Sequence, residues 1–249
     1  MKQILTIGRL VFLKAWRSNF MLALLLLMLP LFYAAWLFET SNPGFQTGFL
    51  ADIGGSLMSF LSGVLILILG IEHFYWPVEQ RLPWFFLSRL RDRRIFVIGK
   101  FLGVALVLFF SLLVTGVGLV FLLRMSEGEW FFSLLFTALL VFFEYAMFAA
   151  VFQLFAVFMT RLSAFGSLLL VYFAGHNCNL LLSLSEAYGR LTALPTAFML
   201  AFLPDTGLFR DNWFAVPSLA TVLGITSYAL LQTFFYLLCA GMILQKKDL

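Results

Sequence analysis

Few residues of this chain could do chemistry, and they lie scattered through strongly apolar sequence. Glu144 stands in the middle of a long hydrophobic run, flanked by Phe142, Phe143 and Tyr145. An ionised side chain at bilayer depth costs at least ~2.5–3.5 kcal/mol on insertion scales, so it needs a partner or water to face. Two uses follow. Glu144 either lines a transport path, or a proton-sensitive switch, or it holds helices together as a protonated or hydrogen-bonded side chain. Gln153 follows on what reads as the same helix, but roughly half a turn away in azimuth, so the two do not share one path.

His176, Asn177 and Asn179 form a second polar cluster, after Tyr172 and Gly175. They suit either a gate or substrate contact, or interhelical hydrogen bonds worth roughly 0.6–2 kcal/mol each. One histidine and two amides make a poor transition-metal site. His73, the other histidine, falls at the opposite membrane boundary, so a Ser–His protease would rest on His176 alone, and no serine in a strained glycine turn accompanies it. The chain has no GxxxxGK[ST], HExxH or GxSxG motif. Cys178 and Cys239 sit in apolar context with neither metal-ligand spacing nor a disulfide framework. No catalytic residue, metal site or bound cofactor is therefore expected, and the chain reads as something other than an enzyme.

The elements that position these residues are membrane helices. With 63% hydrophobic and 11% charged residues and a mean hydropathy of +1.02, the sequence lies far from soluble composition, and its 32 Phe and 6 Trp suit lipid-facing and interfacial positions. Each crossing needs ~20 apolar residues. Six stretches qualify: 20–38, 53–71, 96–123, 131–159, 163–184 and 218–244. Residues 1–19 precede them as an interfacial amphipathic helix, with Ile4, Ile7, Leu10, Val11, Phe12 and Ala15 on one face and Lys2, Arg9, Lys14 and Arg17 opposite. The apolar run from Phe20 is too long for a cleavable leader, which predicts an uncleaved N-terminus. Residues 185–217, interrupted by Pro195, Pro204 and Pro217, read as short external re-entrant or interfacial helices. The whole is one all-α transmembrane domain without internal repeats.

Six crossings put both termini on one side, and the charges say which. The N-terminal segment, the stretch from Pro77 to Lys100, Arg161 and the tail carry 13 of the 16 lysines and arginines. The positive-inside rule makes that side cytoplasmic, in an inner membrane. The loop, 77–95, combines Arg81, Arg89, Arg91, Arg93 and Arg94 with Leu82, Trp84, Phe85, Phe86, Leu87 and Leu90. It suits a helix at the membrane surface that docks on another protein, or a plain topology signal that touches anionic lipid.

Taken together, this order of elements resembles the membrane permease subunits of type-2 ATP-binding-cassette (ABC) exporters over most of the chain. The likeness is carried by Glu72 or Glu79, then Phe86-Leu87-Ser88-Arg89, the cluster Arg91, Arg93 and Arg94, and the closing Gly99-Lys100. Ile7-Gly8-Arg9, Arg17-Ser18-Asn19, Gly175-His176, Leu203-Pro204 and the ending Lys246-Lys247-Asp248-Leu249 are similar too. The family's Gly-Thr after the glutamate is missing, and Arg81-Leu82-Pro83 stands in that region. The resemblance implies a half-transporter that pairs with a second copy or a related permease. It implies separate cytoplasmic ABC ATPase subunits that bind ATP and Mg, and a coupling helix docking on them through Trp84, Phe85, Leu87, Arg89, Arg91 and Arg94. Glu144, His176, Asn177 and Asn179 become candidates for a substrate path or gate. Membrane lipid is the other expected contact, and nucleic acid is not. The aromatic, weakly charged spans lean towards lipid-like or amphipathic cargo. An ion-coupled secondary carrier is the alternative, although it would call for internal pseudosymmetry. A non-transporting membrane scaffold or assembly subunit is another.

Overall fold

The computed structural model of the chain describes residues 2–17, 30, 33–34, 37, 49–75, 93–127, 133–178, 183, 202–210 and 219–246. Every regular element among them is helical. They are α1 (Lys2–Trp16), α2 (Phe49–Gly70, prolonged by a π-helical turn, Ile71–Tyr75), α3 (Arg94–Glu127), α4 (Ser133–Phe158), α5 (Arg161–His176), α6 (Gly207–Arg210) and α7 (Leu219–Lys246). A helix satisfies its own backbone polar groups, which is what a chain this apolar requires where water is absent.

Four helices are long and apolar enough to cross a bilayer: Ile53–Phe74, Arg94–Met125, Ser133–Phe158 and Ala220–Lys246. They match the expected spans 53–71, 96–123, 131–159 and 218–244, with ends shifted by a few residues. The expected span 20–38 falls outside the described residues except for Pro30, Tyr33, Ala34 and Leu37, each of which is helical. The span expected at 163–184 starts earlier, at Arg161, and its continuous helix closes at His176, because Asn177 leaves helical geometry at φ −120°, ψ 26°. Its 16 residues reach about 24 Å, short of the ~30 Å hydrocarbon core. Of the segment 185–217, expected to be external, residues 202–210 are described, and they include one short helix, α6.

Helix α4 is the axis of the bundle. In its membrane window 72% of residues are buried, against 28% for the corresponding part of α7, and α4 packs on α2, α3, α5 and α7. Successive long helices alternate in direction. Gly54 near the start of α2 meets Leu119 near the end of α3, and Gly116 of α3 faces Ala138 near the start of α4. At the opposite end of the bundle Lys100, near the start of α3, donates to the carbonyl of His73 in the π-helical turn. Gln153, near the end of α4, donates to the Val97 carbonyl there at 2.8 Å.

The N-terminal helix lies along the first half of α3. Gly8, Val11 and Ala15 are its buried residues, while Ile4, Ile7 and Phe12 are half-buried. Leu10, expected on the same apolar face, is 63% exposed. Backbone approach explains the rotation. A Cβ at Gly8 would lie 3.2 Å from the Gly99 carbonyl oxygen, and one at Gly103 would lie 2.5 Å from Val11 Cβ and 2.8 Å from the Gly8 oxygen. The Gly99-x-x-x-Gly103 stripe thus seats α1 along positions 8, 11 and 15, which turns Leu10 outward, where lipid would meet it.

Gly103→Ala should therefore destabilise the protein by about 1–3 kcal/mol, the usual cost of overpacking. Gly118→Ala, on the same helix with open space around it, should be neutral or mildly stabilising. Thermal unfolding in mild detergent compares the two, and equal melting points would mean that α1 is not held at Gly103.

Candidate functional site

The polar residues singled out in the sequence assemble around α4. Glu144 and Tyr145 are adjacent at the middle of that helix, and both are about 1% exposed. His176 reaches them from the C-terminal end of α5, with Nε2 3.7 Å from Glu144 Oε1. Its other ring nitrogen, Nδ1, lies 3.1 Å from the Tyr172 carbonyl oxygen one turn back. A carbonyl only accepts, so Nδ1 carries the proton in that bond. Nε2 then faces the carboxyl either as a lone pair opposite a protonated Glu144, or as an N–H opposite a carboxylate. Either arrangement would leave the pair with no net charge, the form that an interior penalising isolated charge tolerates best.

A hydroxyl chain continues from this pair. The Tyr172 ring stacks on His176 with centroids 4.2 Å apart. The Tyr172 hydroxyl lies 3.3 Å from that of Tyr145, which in turn lies 2.8 Å from Ser59 Oγ on α2. Glu144, Tyr145, Tyr172, His176 and Ser59 thus link α2, α4 and α5 in one polar seam. Beyond it, the segment 202–210 packs on the C-terminal end of α5. The Pro204 carbonyl sits against Gly175, where a side chain would clash, and the Thr206 amide bonds the Gly175 carbonyl at 3.4 Å. The same segment is tied to α7 by the Tyr228 hydroxyl, which accepts from the Asp205 amide at 3.0 Å, and by Tyr236, which donates to the Phe202 carbonyl.

Asn177 does not join the seam. It is exposed, and its amide donates to the Phe173 carbonyl of its own helix at 2.8 Å. Asn179 lies outside the described residues. Gln153 is remote from Glu144, as its azimuth predicts. Among the described residues no group of histidine, cysteine and carboxylate side chains is arranged to hold a metal ion.

Of the expected docking set, Trp84, Phe85, Leu87, Arg89 and Arg91 lie outside the described residues, and Arg94 opens α3. The base on which that loop stands is described, and it is cross-braced. Arg93 donates to the Leu244 carbonyl at 3.2 Å, and Arg94 to Gln245 Oε1 at 3.1 Å, near the end of α7. Gly241 of α7 lets the Arg94 stem pass closely. On the other strut Lys14 of α1 pairs with Glu72 at 3.2 Å. Lys100, buried at its backbone contact with His73, also holds its ammonium 4.3 Å from the centre of the Phe96 ring.

Sequence reasoning missed Ser59, Tyr145 and Tyr172 as partners of the singled-out residues. Tyr172 and His176 are four apart and so share a helix face, which is a readable signal. That Glu144 would meet His176 on another helix had no local trace. No family model matches the sequence, and no curated protein is significantly similar to it.

A double-mutant cycle with Glu144→Leu and His176→Leu, read by thermal unfolding in detergent, should give a coupling of about 0.6–1.7 kcal/mol, the range measured for polar contacts between membrane helices. Additive effects would mean that the two side chains do not interact.

Proposed function

We propose that this chain is the membrane permease subunit of a type-2 ABC exporter, with the 77–95 loop as its coupling element. The observation that carries the reading is the braced base of that loop. The turn entering it is held to α1 by Lys14–Glu72 and to α3 by Lys100, and the start of α3, which leaves it, is held to α7 by Arg93 and Arg94. A load applied to such a loop moves α1, α2, α3 and α7 as a unit, which is what rigid-body coupling to a motor demands. A loop that only marked topology would need no such bracing.

In this reading the chain makes six crossings, with 20–38 and 163–184 as the first and fifth, in an inner membrane with both termini cytoplasmic. Basic side chains support that orientation. Lys2, Arg9, Lys14, Arg93, Arg94, Arg161 and Lys246 gather at the loop end of the bundle, whereas Arg124 lies at the other. Two such subunits, alike or related, pair in the membrane, and separate ATPase subunits bind ATP and Mg and grip Trp84, Phe85, Leu87, Arg89 and Arg91. Their closure rocks the helices and moves a lipid-like or amphipathic cargo outward or out of the inner leaflet, past a gate built on the Glu144–His176 seam. The Glu144–His176 pair, two titratable side chains 3.7 Å apart at the middle of α4, favours a second reading, a proton-coupled carrier, which would work without ATP.

The test is co-purification of the tagged chain with its gene neighbours from mild detergent. A stoichiometric ATPase should be recovered, and Leu87→Glu should abolish that recovery while membrane insertion persists. Arg94→Ala should keep the ATPase bound but lower cargo-stimulated ATP hydrolysis several-fold. A chain that purifies alone, with ATP-independent uptake in vesicles, would replace the exporter by the carrier.

A further inference from the structure

Between α2, α4 and α5 lies a cleft of about 180 Å³. Its walls are Gly63 and Leu67 of α2, Tyr145 and Phe148 of α4, and Leu168 and Tyr172 of α5. That is the size class of an engineered apolar cavity of ~150 Å³ that stays dry and takes up benzene. The walls are hydrocarbon and aromatic ring except at one end, where the Ser59–Tyr145–Tyr172 hydroxyls meet. Gly63 brings that polar end to the cleft, since a Cβ there would lie 3.4 Å from Tyr145 Cε1 and 3.8 Å from its hydroxyl. Each hydroxyl has one donor and two acceptor sites, so two bonds among three hydroxyls leave acceptor capacity at Tyr172.

We infer that this cleft is a binding site, within a single protomer, for a small neutral amphiphile: a ring or short chain bearing one hydroxyl group. Depth selects this occupant over a resident phospholipid. Tyr145 stands at the middle of a 26-residue helix, about 20 Å from either end. From there the cleft runs through Gly63, Leu67, Phe148 and Leu168 towards the loop end of the bundle, so its polar end lies at mid-span and its apolar body lies in one half. A phospholipid in that half would present methyl groups to the hydroxyls and keep its polar head at the surface. A small alcohol places oxygen on Tyr172 and hydrocarbon along Phe148 and Leu168. Charged cargo is excluded, because no fixed charge lines the walls. The site belongs to the chain itself and does not depend on the exporter reading, although in an exporter it would serve as a cargo subsite.

The test uses the purified full chain in phospholipid nanodiscs, without any ATPase, so that its failure and the failure of the exporter reading are separable. A diazirine-bearing hexanol is photolysed and its adducts are mapped by mass spectrometry. Hexan-1-ol and hexane compete at equal mole fraction in the lipid. Adducts should appear on the stretches around Gly63, Phe148 and Leu168, and hexan-1-ol should compete about threefold to tenfold better than hexane, one interhelical-strength hydrogen bond. Gly63→Leu, which fills the cleft, should lower labelling at least about fivefold. Leu168→Phe does the same from the opposite wall, should Gly63→Leu fail to fold. Tyr172→Phe should retain labelling but erase the preference for the alcohol. Equal competition by hexane, or labelling indifferent to both filling variants, would overturn the site in favour of plain partition into lipid.

Discussion

Helix α4 has protein on nearly every side, and that single constraint sets much of the bundle. Polar groups on such a helix cannot turn to water, so they seek partners on a neighbour or on their own backbone, although Gln153 Oε1 has no hydrogen-bond partner among the described residues. Thr137 bonds back to the Ser133 carbonyl at 3.2 Å, within the helix. The others reach outward, each to a different element: Tyr145 to Ser59 on α2, Gln153 to Val97 on α3, and Glu144 to His176 on α5. Three polar contacts at three azimuths and heights fix both the rotation and the depth of α4 relative to its neighbours. Apolar packing alone would tolerate alternatives, because lipid tails are as apolar as the helix faces they compete with.

Close backbone approach supplies the rest. Without a hydrophobic drive between helices, contact area has to come from fit, and small residues let helices reach it. Ala146, Ala149 and Ala150 on α4 are fully or almost fully buried, Gly63 and Gly70 pass against Tyr145 and Phe152, and Gly8 meets the Gly99–Gly103 stripe. Gly175 does the same at the C-terminal end of α5, where the Pro204 carbonyl sits on it. The two places where non-spanning segments are fastened to the bundle, α1 at one end and 202–210 at the other, therefore both depend on a glycine.

These two fastenings face different tasks. At the loop end, long basic side chains cross between elements and bind backbone or amide oxygens, so charge is spent on stiffness where the loop leaves and re-enters. Deeper in, the seam from Ser59 to Glu144 is assembled from hydroxyls and one carboxyl–imidazole pair. A braced base thus stands at the loop end of the bundle, and a weakly polar seam bordering an apolar cleft lies deeper in.

The helical fold, four helices long and apolar enough to cross a bilayer, and a helix at the N-terminus were all readable from the chain, since they follow from composition, from runs of ~20 apolar residues and from helical periodicity. The isolation of Glu144 and its separation from Gln153 were also readable, because helical azimuth is a local property. The stripe that seats α1 could have been found in the Gly99-x-x-x-Gly103 spacing, and reading the apolar face by hydropathy instead placed Leu10 on the wrong side. What only the tertiary structure decided was pairing. Glu144 and His176 are 32 positions apart on antiparallel helices, and Ser59 and Tyr145 are 86 apart. Their meeting depends on the relative depth and rotation of whole helices, and no residue near either partner encodes that. Local periodicity dictates which face of a helix is polar, whereas the identity of the face opposite is settled only when the bundle packs.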